Sequence, residues 1–206
     1  MSKPQFIYFD MGNVLLLFDH QLACEQIGRV AGITADKVRQ VVFDSELQSQ
    51  YETGQITSRQ FYDSFCRLTE TAADYDQLLL AASDIFTLNT PIIPLLVALH
   101  DARIRIGILS NTCDAHWQFA RRRFSILEQY FCPLALSFEV KSMKPDSAIY
   151  HAAADLTGVA INDIFFTDDR EENIQAAHRE GMQAVQFTTA RDLAGTLRGL
   201  GLRFNY

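Results

Sequence analysis

The stretch Phe6-Ile7-Tyr8-Phe9-Asp10-Met11-Gly12-Asn13-Val14 decides the fold. Four apolar residues of high strand preference run straight into an aspartate, and a glycine-bearing turn follows at once. The pattern predicts a buried strand that ends in an exposed carboxylate. Open parallel sheets carry their chemistry at such strand ends. Asp10 is therefore the first candidate for a reacting group, and the question for the remaining residues is what converges on it.

Working outward, the apolar run continues to Phe18, and Asp19 reads as the N-cap of a helix over about 20–30, closed by Gly32. Thr34 opens a second helix that fades near Tyr51. After a connection at 52–56, Thr57 and Gln60 form a capping box for a third helix to about Leu68. A fourth apolar-periodic segment covers 74–86. Residues 19–88 thus read as helix after helix with no strand, a helical insert.

From Thr90 the pattern changes. Pro91 favours a helix start, and that helix carries Leu95, Leu96 and Leu99 towards Asp101. A strand over 104–109 stops at Ser110-Asn111-Thr112, and a helix over 114–124 follows. A short strand at 134–138 leads into Glu139-Val140-Lys141-Ser142-Met143-Lys144-Pro145, where Pro145 opens a helix to about Leu156. Ile164-Phe165-Phe166 ends at Thr167-Asp168-Asp169, a helix closes at Gly181, and 184–187 is the last strand. Strands alternating with helices imply an α/β fold with a doubly wound, Rossmann-like parallel sheet and right-handed crossovers. The expected division is a core of 1–18 and 89–206 with 19–88 inserted.

Composition narrows the function classes. A chain of 206 residues with 48% hydrophobic and 21% charged residues is ordinary for a globular protein with a substantial core. The net charge of -7 and pI near 5.2 argue against a nucleic-acid or anionic-membrane surface. Arg121-Arg122-Arg123, the one basic run, reads as a solvated helix face. Cys24, Cys66, Cys113 and Cys132 have neither Cys-x-x-Cys nor paired-histidine spacing, so no zinc site or disulfide framework is suggested, and a cytoplasmic location fits. No apolar run approaches ~18 residues, and the first strand begins too early for a signal peptide.

Four strand ends carry polar residues in the order Asp, Ser-Asn, Lys, Asp-Asp. In a parallel sheet all four lie on one edge and share a crevice. Clustered carboxylates suit Mg2+ by ligand preference. A hydroxyl and backbone N–H groups can hold phosphate oxygens, and a lysine can neutralise developing charge. Of the four lysines in the chain, Lys141 and Lys144 both sit in the loop after the third strand.

With these motifs in this order, the sequence resembles the haloacid dehalogenase-like (HAD) hydrolases, and within them the helical-cap subgroup written FDxGNV, which includes phosphatases of the α-D-glucose-1-phosphate type. The resemblance implies that 19–88 is a cap. It implies that Asp10 is the nucleophile, forming an aspartyl-phosphate, and that Ser110 and the Asn111 backbone bind the phosphoryl oxygens. Lys144 would neutralise charge. Mg2+ would be held by Asp10, the Gly12 carbonyl and Asp169, with Asp168 either ligating or orienting a water. Tyr51-Glu52-Thr53-Gly54 resembles the cap loop that leans over the active site. The implied substrate is a small phosphorylated metabolite.

The departure is Gly12, where most HAD phosphatases carry a second aspartate as general acid and base. That help is worth ~100 to 10,000-fold. Its loss suggests an easily departing group, such as an anomeric sugar phosphate or an acyl phosphate. Asp19 is the nearby substitute, read first as an ordinary helix cap. Other readings are a metal-free dehalogenase, opposed by the retained Asp168-Asp169, a mutase, which also uses the missing acid, and a non-catalytic binder of a phosphorylated ligand or protein partner. A receiver-like phospho-acceptor is opposed by the late position of the acidic pair.

Overall fold

The computed structural model describes residues 3–206. Its strands are β1 (Phe6–Phe9), β2 (Leu16–Phe18), β3 (Phe86–Leu88), β4 (Ile106–Ser110), β5 (Leu134–Leu136), β6 (Ile164–Asp168) and β7 (Gln183–Gln186). Five of them form one parallel sheet in the order β5-β4-β1-β6-β7. The helices are α1 (His20–Ala31), α2 (Ala35–Val42), α3 (Leu47–Glu52), α4 (Ser58–Thr69), α5 (Tyr75–Ser83) and α6 (Ile93–Asp101), then α7 (Asp114–Arg123), α8 (Ile126–Tyr130), α9 (Ser137–Val140), α10 (Ser147–Thr157), α11 (Glu171–Arg179) and α12 (Ala190–Gly199). This is the expected α/β architecture.

β1 is central because all four of its residues are apolar enough to be buried on both faces. Ile7 and Phe9 join Leu95, Leu96, Leu193 and Leu197 of α6 and α12 on one face. Phe6 and Tyr8 join Ile149, Tyr150 and Ile174 of α10 and α11 on the other. From β1 the chain moves outward to β4 and β5, then returns to the far side of β1 for β6 and β7. The carboxyl ends of β1, β4 and β6 therefore meet at the reversal point of the sheet, where a crevice forms.

Helices α1 to α5 build a separate apolar cluster around Ile27, Val38, Phe61, Phe65 and Leu78. The chain leaves for them through β2 and returns through β3, which pair antiparallel with Leu16 opposite Leu88 and Phe18 opposite Phe86. This pair corrects the strand-free reading of 19–88. Three-residue strands are too short to show a period, and each exists only because the other lies opposite it.

Three further expectations shift. The helix expected from Thr34 to Tyr51 is two helices, because Ser45 Oγ donates to Val41 O at 2.6 Å and accepts from Leu47 N at 3.1 Å, closing α2 and opening α3. The strand at 134–138 stops at Leu136, and Ser137 begins α9. Pro145 does not open α10. Asp146 is the extended cap residue (φ -65°, ψ 142°) and the helix begins at Ser147, because the backbone of Lys144 is tied to Asn111 instead.

Candidate active site

Register alone brings the acidic strand ends together. Phe9 pairs with Thr167 of β6 and with Ile108 of β4, so Asp10 emerges beside Asp168 and near Ser110. The Asp10 N–H donates to Thr167 O at 2.9 Å and fixes the turn. Lys144 reaches into this corner from the loop before α10. Its ammonium donates to Asp10 Oδ1 at 2.8 Å, to Asp168 Oδ2 at 2.6 Å and to Leu109 O at 2.9 Å. All three of its protons are used. Lys144 is 4% exposed and Asp168 fully buried, so neither is a surface charge.

Asn111 holds that lysine in place. Its side chain accepts from Lys144 N and donates to Lys144 O, both at 2.8 Å. Lys141, the alternative lysine of the same loop, points elsewhere and donates to Gly54 O at 2.8 Å. Gly54 is required there: its φ is +63°, and a Cβ would lie 2.2 Å from Phe138 O.

Asp168 is saturated. Oδ1 accepts from the Arg170 N–H (2.8 Å) and Asn173 Nδ2 (3.0 Å), while Oδ2 accepts from Lys144 and, at 3.0 Å, from the same Asn173 amide. Asp169 is half-buried and accepts at Oδ2 from Asn13 Nδ2 at 2.9 Å. Asn13 has φ +55°, the left-handed region that asparagine tolerates, and this conformation aims its amide across the crevice. Ligand atoms of Asp10, Asp168 and Asp169 lie within 4.8 Å of one another. The Ser110 hydroxyl hydrogen-bonds the Asp10 carboxyl and lies 3.5 Å from Asn111 O, which places it beside the candidate nucleophile.

The electrostatics follow from burial. Loss of water pushes Asp10 up to about 6, opposed by the Lys144 ammonium and assisted by the Asp168 carboxylate. Burial alone would lower Lys144, but Asp10 and Asp168 more than offset it and hold the ammonium above its ordinary range. Three carboxylates around one ammonium leave a net negative, oxygen-only cluster, the donor set of a hard divalent cation.

Beside the cluster a cavity of about 50 Å³ is lined by Gly12, Phe18, Glu52, Asn111, Thr112 and His116 among others. Glu52 arrives from α3, held by Ser137 Oγ donating to Glu52 O at 2.6 Å. Asp19 is an exposed helix cap that accepts from Gln21 N and Leu22 N. Sequence reasoning brought Asp10, Gly12, Ser110, Asn111, Lys144, Asp168 and Asp169 to one corner, where the structure places them. It assigned no role to the Asn13 amide, the Asn111 side-chain clamp or the Asn173 anchor. Their signal was present only as asparagines three to five residues after motif carboxylates, or directly after the serine.

Comparison with known proteins gives the family and the fold. Residues 5–181 match the family model of haloacid dehalogenase-like hydrolase. The HAD family enzyme bt-2542 from Bacteroides thetaiotaomicron superposes with a TM-score of 0.83 at 24% identity, covering 96% of this chain and 100% of that one. The same enzyme in complex with magnesium and inorganic phosphate gives a TM-score of 0.79 at 25% identity over 90% and 95% of the two chains. A predicted HAD-like family hydrolase from Porphyromonas gingivalis shares the fold at a TM-score of 0.83 and 18% identity, covering 98% and 100%.

Proposed function

The chain belongs to the haloacid dehalogenase-like hydrolase family, and from that premise we propose that it is a Mg2+-dependent phosphatase of a small phosphorylated metabolite. The observation that carries the reading is the Lys144 bridge between Asp10 and Asp168, with Asp169 within the same 4.8 Å cluster. A solved relative, bt-2542, has been seen with magnesium and inorganic phosphate.

Asp10 attacks phosphorus, the bond from phosphorus to the leaving oxygen breaks, and water then cleaves the aspartyl-phosphate to return the carboxylate. Lys144 holds Asp10 in orientation and neutralises charge on the transferring group. Ser110 Oγ and the Asn111 N–H receive the phosphoryl oxygens. Asp10, the Gly12 carbonyl and Asp169 would hold the metal, which would supply charge neutralisation when bound. Asp168, with four hydrogen bonds accepted, orients Lys144 instead of ligating. Residues 19–88 form a cap on the core of 1–18 and 89–206, excluding water when closed.

The test is phosphate release from a panel of phosphorylated metabolites with Mg2+ and with chelator. Turnover lost on chelation supports the reading, and a folded protein that turns over nothing on the panel favours a phospho-ligand binder. An anomeric substrate would show as a higher kcat/KM for glucose 1-phosphate than for glucose 6-phosphate, and the reverse order would count against it. Asn13→Ala, which frees Asp169 from its one side-chain donor, is expected to weaken Mg2+ by ~10 to 100-fold, read as a rightward shift of the Mg2+ activation curve.

A further inference from the structure

Gly12 lacks a side chain, and the structure shows what fills the space instead. A Cβ at position 12 would lie 2.8 Å from the Phe18 ring. Phe18 lies opposite Phe86 across β2 and β3, and the two rings are 6.1 Å apart. An acid at position 12 is therefore excluded unless that ring moves, and a proton donor must come from elsewhere in the cavity wall.

The cavity beside Gly12 and Asn111 contains one carboxyl group in its lining, that of Glu52. Glu52 is anchored in two ways. Gln48 Nε2 donates to Glu52 Oε1 at 2.7 Å, and Ser137 Oγ donates to Glu52 O at 2.6 Å. Ser137 also accepts from the Thr112 N–H at 2.9 Å, so α3 and the loop after β4 are tied through one hydroxyl. Oε2 has no hydrogen-bond partner among the described residues, so one face of the carboxyl is uncommitted. Thr112, in the same lining, carries a buried hydroxyl likewise without a partner among the described residues. Both groups suit a polar leaving group.

The other titratable groups in that wall are poorer donors. His116 faces the cavity with Nε2 against Ala82 O at 3.2 Å, and burial lowers it to about 4, so it is neutral at pH 7. Burial also lowers His20, with the Arg39 charge adding to the effect. Glu52 moves the opposite way: desolvation raises it, against the pull of Gln48 and of the Arg170 and Lys144 charges.

We propose that Glu52, lent to the site by the helical insert, is the general acid and base that Gly12 cannot supply. The inference rests on the aspartyl-phosphate reading above. In the first step the Glu52 carboxylic acid gives its proton to the departing oxygen as Asp10 closes on phosphorus, releasing an alcohol. In the second, the Glu52 carboxylate takes a proton from water as that water displaces Asp10 from phosphorus, releasing inorganic phosphate and restoring the acid. Because the proton donor sits on the insert, catalysis also requires the insert to be seated on the core.

The test compares p-nitrophenyl phosphate with phenyl phosphate, similar in shape but with leaving groups of very different acidity, on the wild type and Glu52→Gln in rapid-mixing experiments with Mg2+. p-Nitrophenolate departs without protonation. The variant is therefore expected to release one equivalent of p-nitrophenol in a burst and then turn over ~100 to 10,000-fold more slowly than wild type. Phenyl phosphate should show no burst and a comparable loss. Glu52→Asp, which keeps the carboxyl, should recover part of the rate. Slowing of both substrates without a burst, or no slowing at all, overturns the role of Glu52. Wild-type turnover that survives Asp10→Asn instead overturns the underlying reading, so the two failures are distinguishable.

Discussion

Asp10→Asn is expected to abolish Mg2+-dependent phosphate release, lowering kcat by on the order of 10,000-fold or more. The amide cannot form the acyl-phosphate bond, yet it is nearly isosteric, so the fold should persist. Asp10 is 8% exposed and its backbone N–H is tied to Thr167 O, and neither feature depends on the carboxylate charge. Lys144 would keep Asp168 and the Leu109 carbonyl as partners. Phosphate release by malachite green, with a thermal melt to confirm folding, measures the effect. Asp10→Ala serves as a parallel that cannot regain the carboxylate by deamidation. Full activity in either variant would end the nucleophile assignment.

The strand ends were legible in the sequence because burial on both faces writes a continuous apolar run, and the residue that ends each run is polar for a reason. Phe6–Phe9 into Asp10 and Ile164–Phe166 into Thr167-Asp168 are such cases. What was not legible depends on contacts far apart in the chain. The β2 and β3 strands have three residues each, and neither exists without its partner 70 positions away. Ser45 splits a helix by bonding the backbone of Val41 on one side and Leu47 on the other, which a periodicity cannot show. Pro145 has the composition of a helix start, but Asn111 holds the preceding residue from both its N–H and its C=O. Lys141 and Lys144 are three residues apart in one loop and could not be separated by pattern. Geometry separates them, since one meets two carboxylates and the other a carbonyl of Gly54. Glu52 had no motif to mark it as an acid, because its meaning comes from the empty position at Gly12.

Lys144→Met is expected to be the most damaging single change to stability, and to lower activity as well. In the native protein one ammonium answers two buried carboxylates and a carbonyl, at 2.6 to 2.9 Å. Removing it leaves the buried Asp10 and Asp168 carboxylates without their shared ammonium, Asp168 keeping only the Arg170 N–H and the Asn173 amide. Breaking a buried pair in this way costs about 3 to 5 kcal/mol, because the remaining charges lose their compensation. In metal-free protein, burial already holds the Asp10 carboxyl at about 6, above its unfolded value near ~4, and loss of the Lys144 ammonium raises it further. The protonated form is favoured by folding, so the penalty is small below the unfolded pKa and grows as pH rises through the folded one. Urea melts in chelator should accordingly show a deficit at pH 7 that shrinks towards pH 4. Combining Lys144→Met with Asp168→Asn removes one of the two stranded charges and should recover part of the loss at pH 7, a coupling that independent sites would not show. Restoring Asp168 stability leaves the chemistry unrepaired. The transferring phosphoryl group still lacks its fixed cation, and kcat should stay ~100 to 1,000-fold down in the double variant. A Lys144→Met protein as stable as wild type at pH 7 would mean that the carboxylates are protonated or solvated there, and the bridge would lose its place as the organising contact of the site.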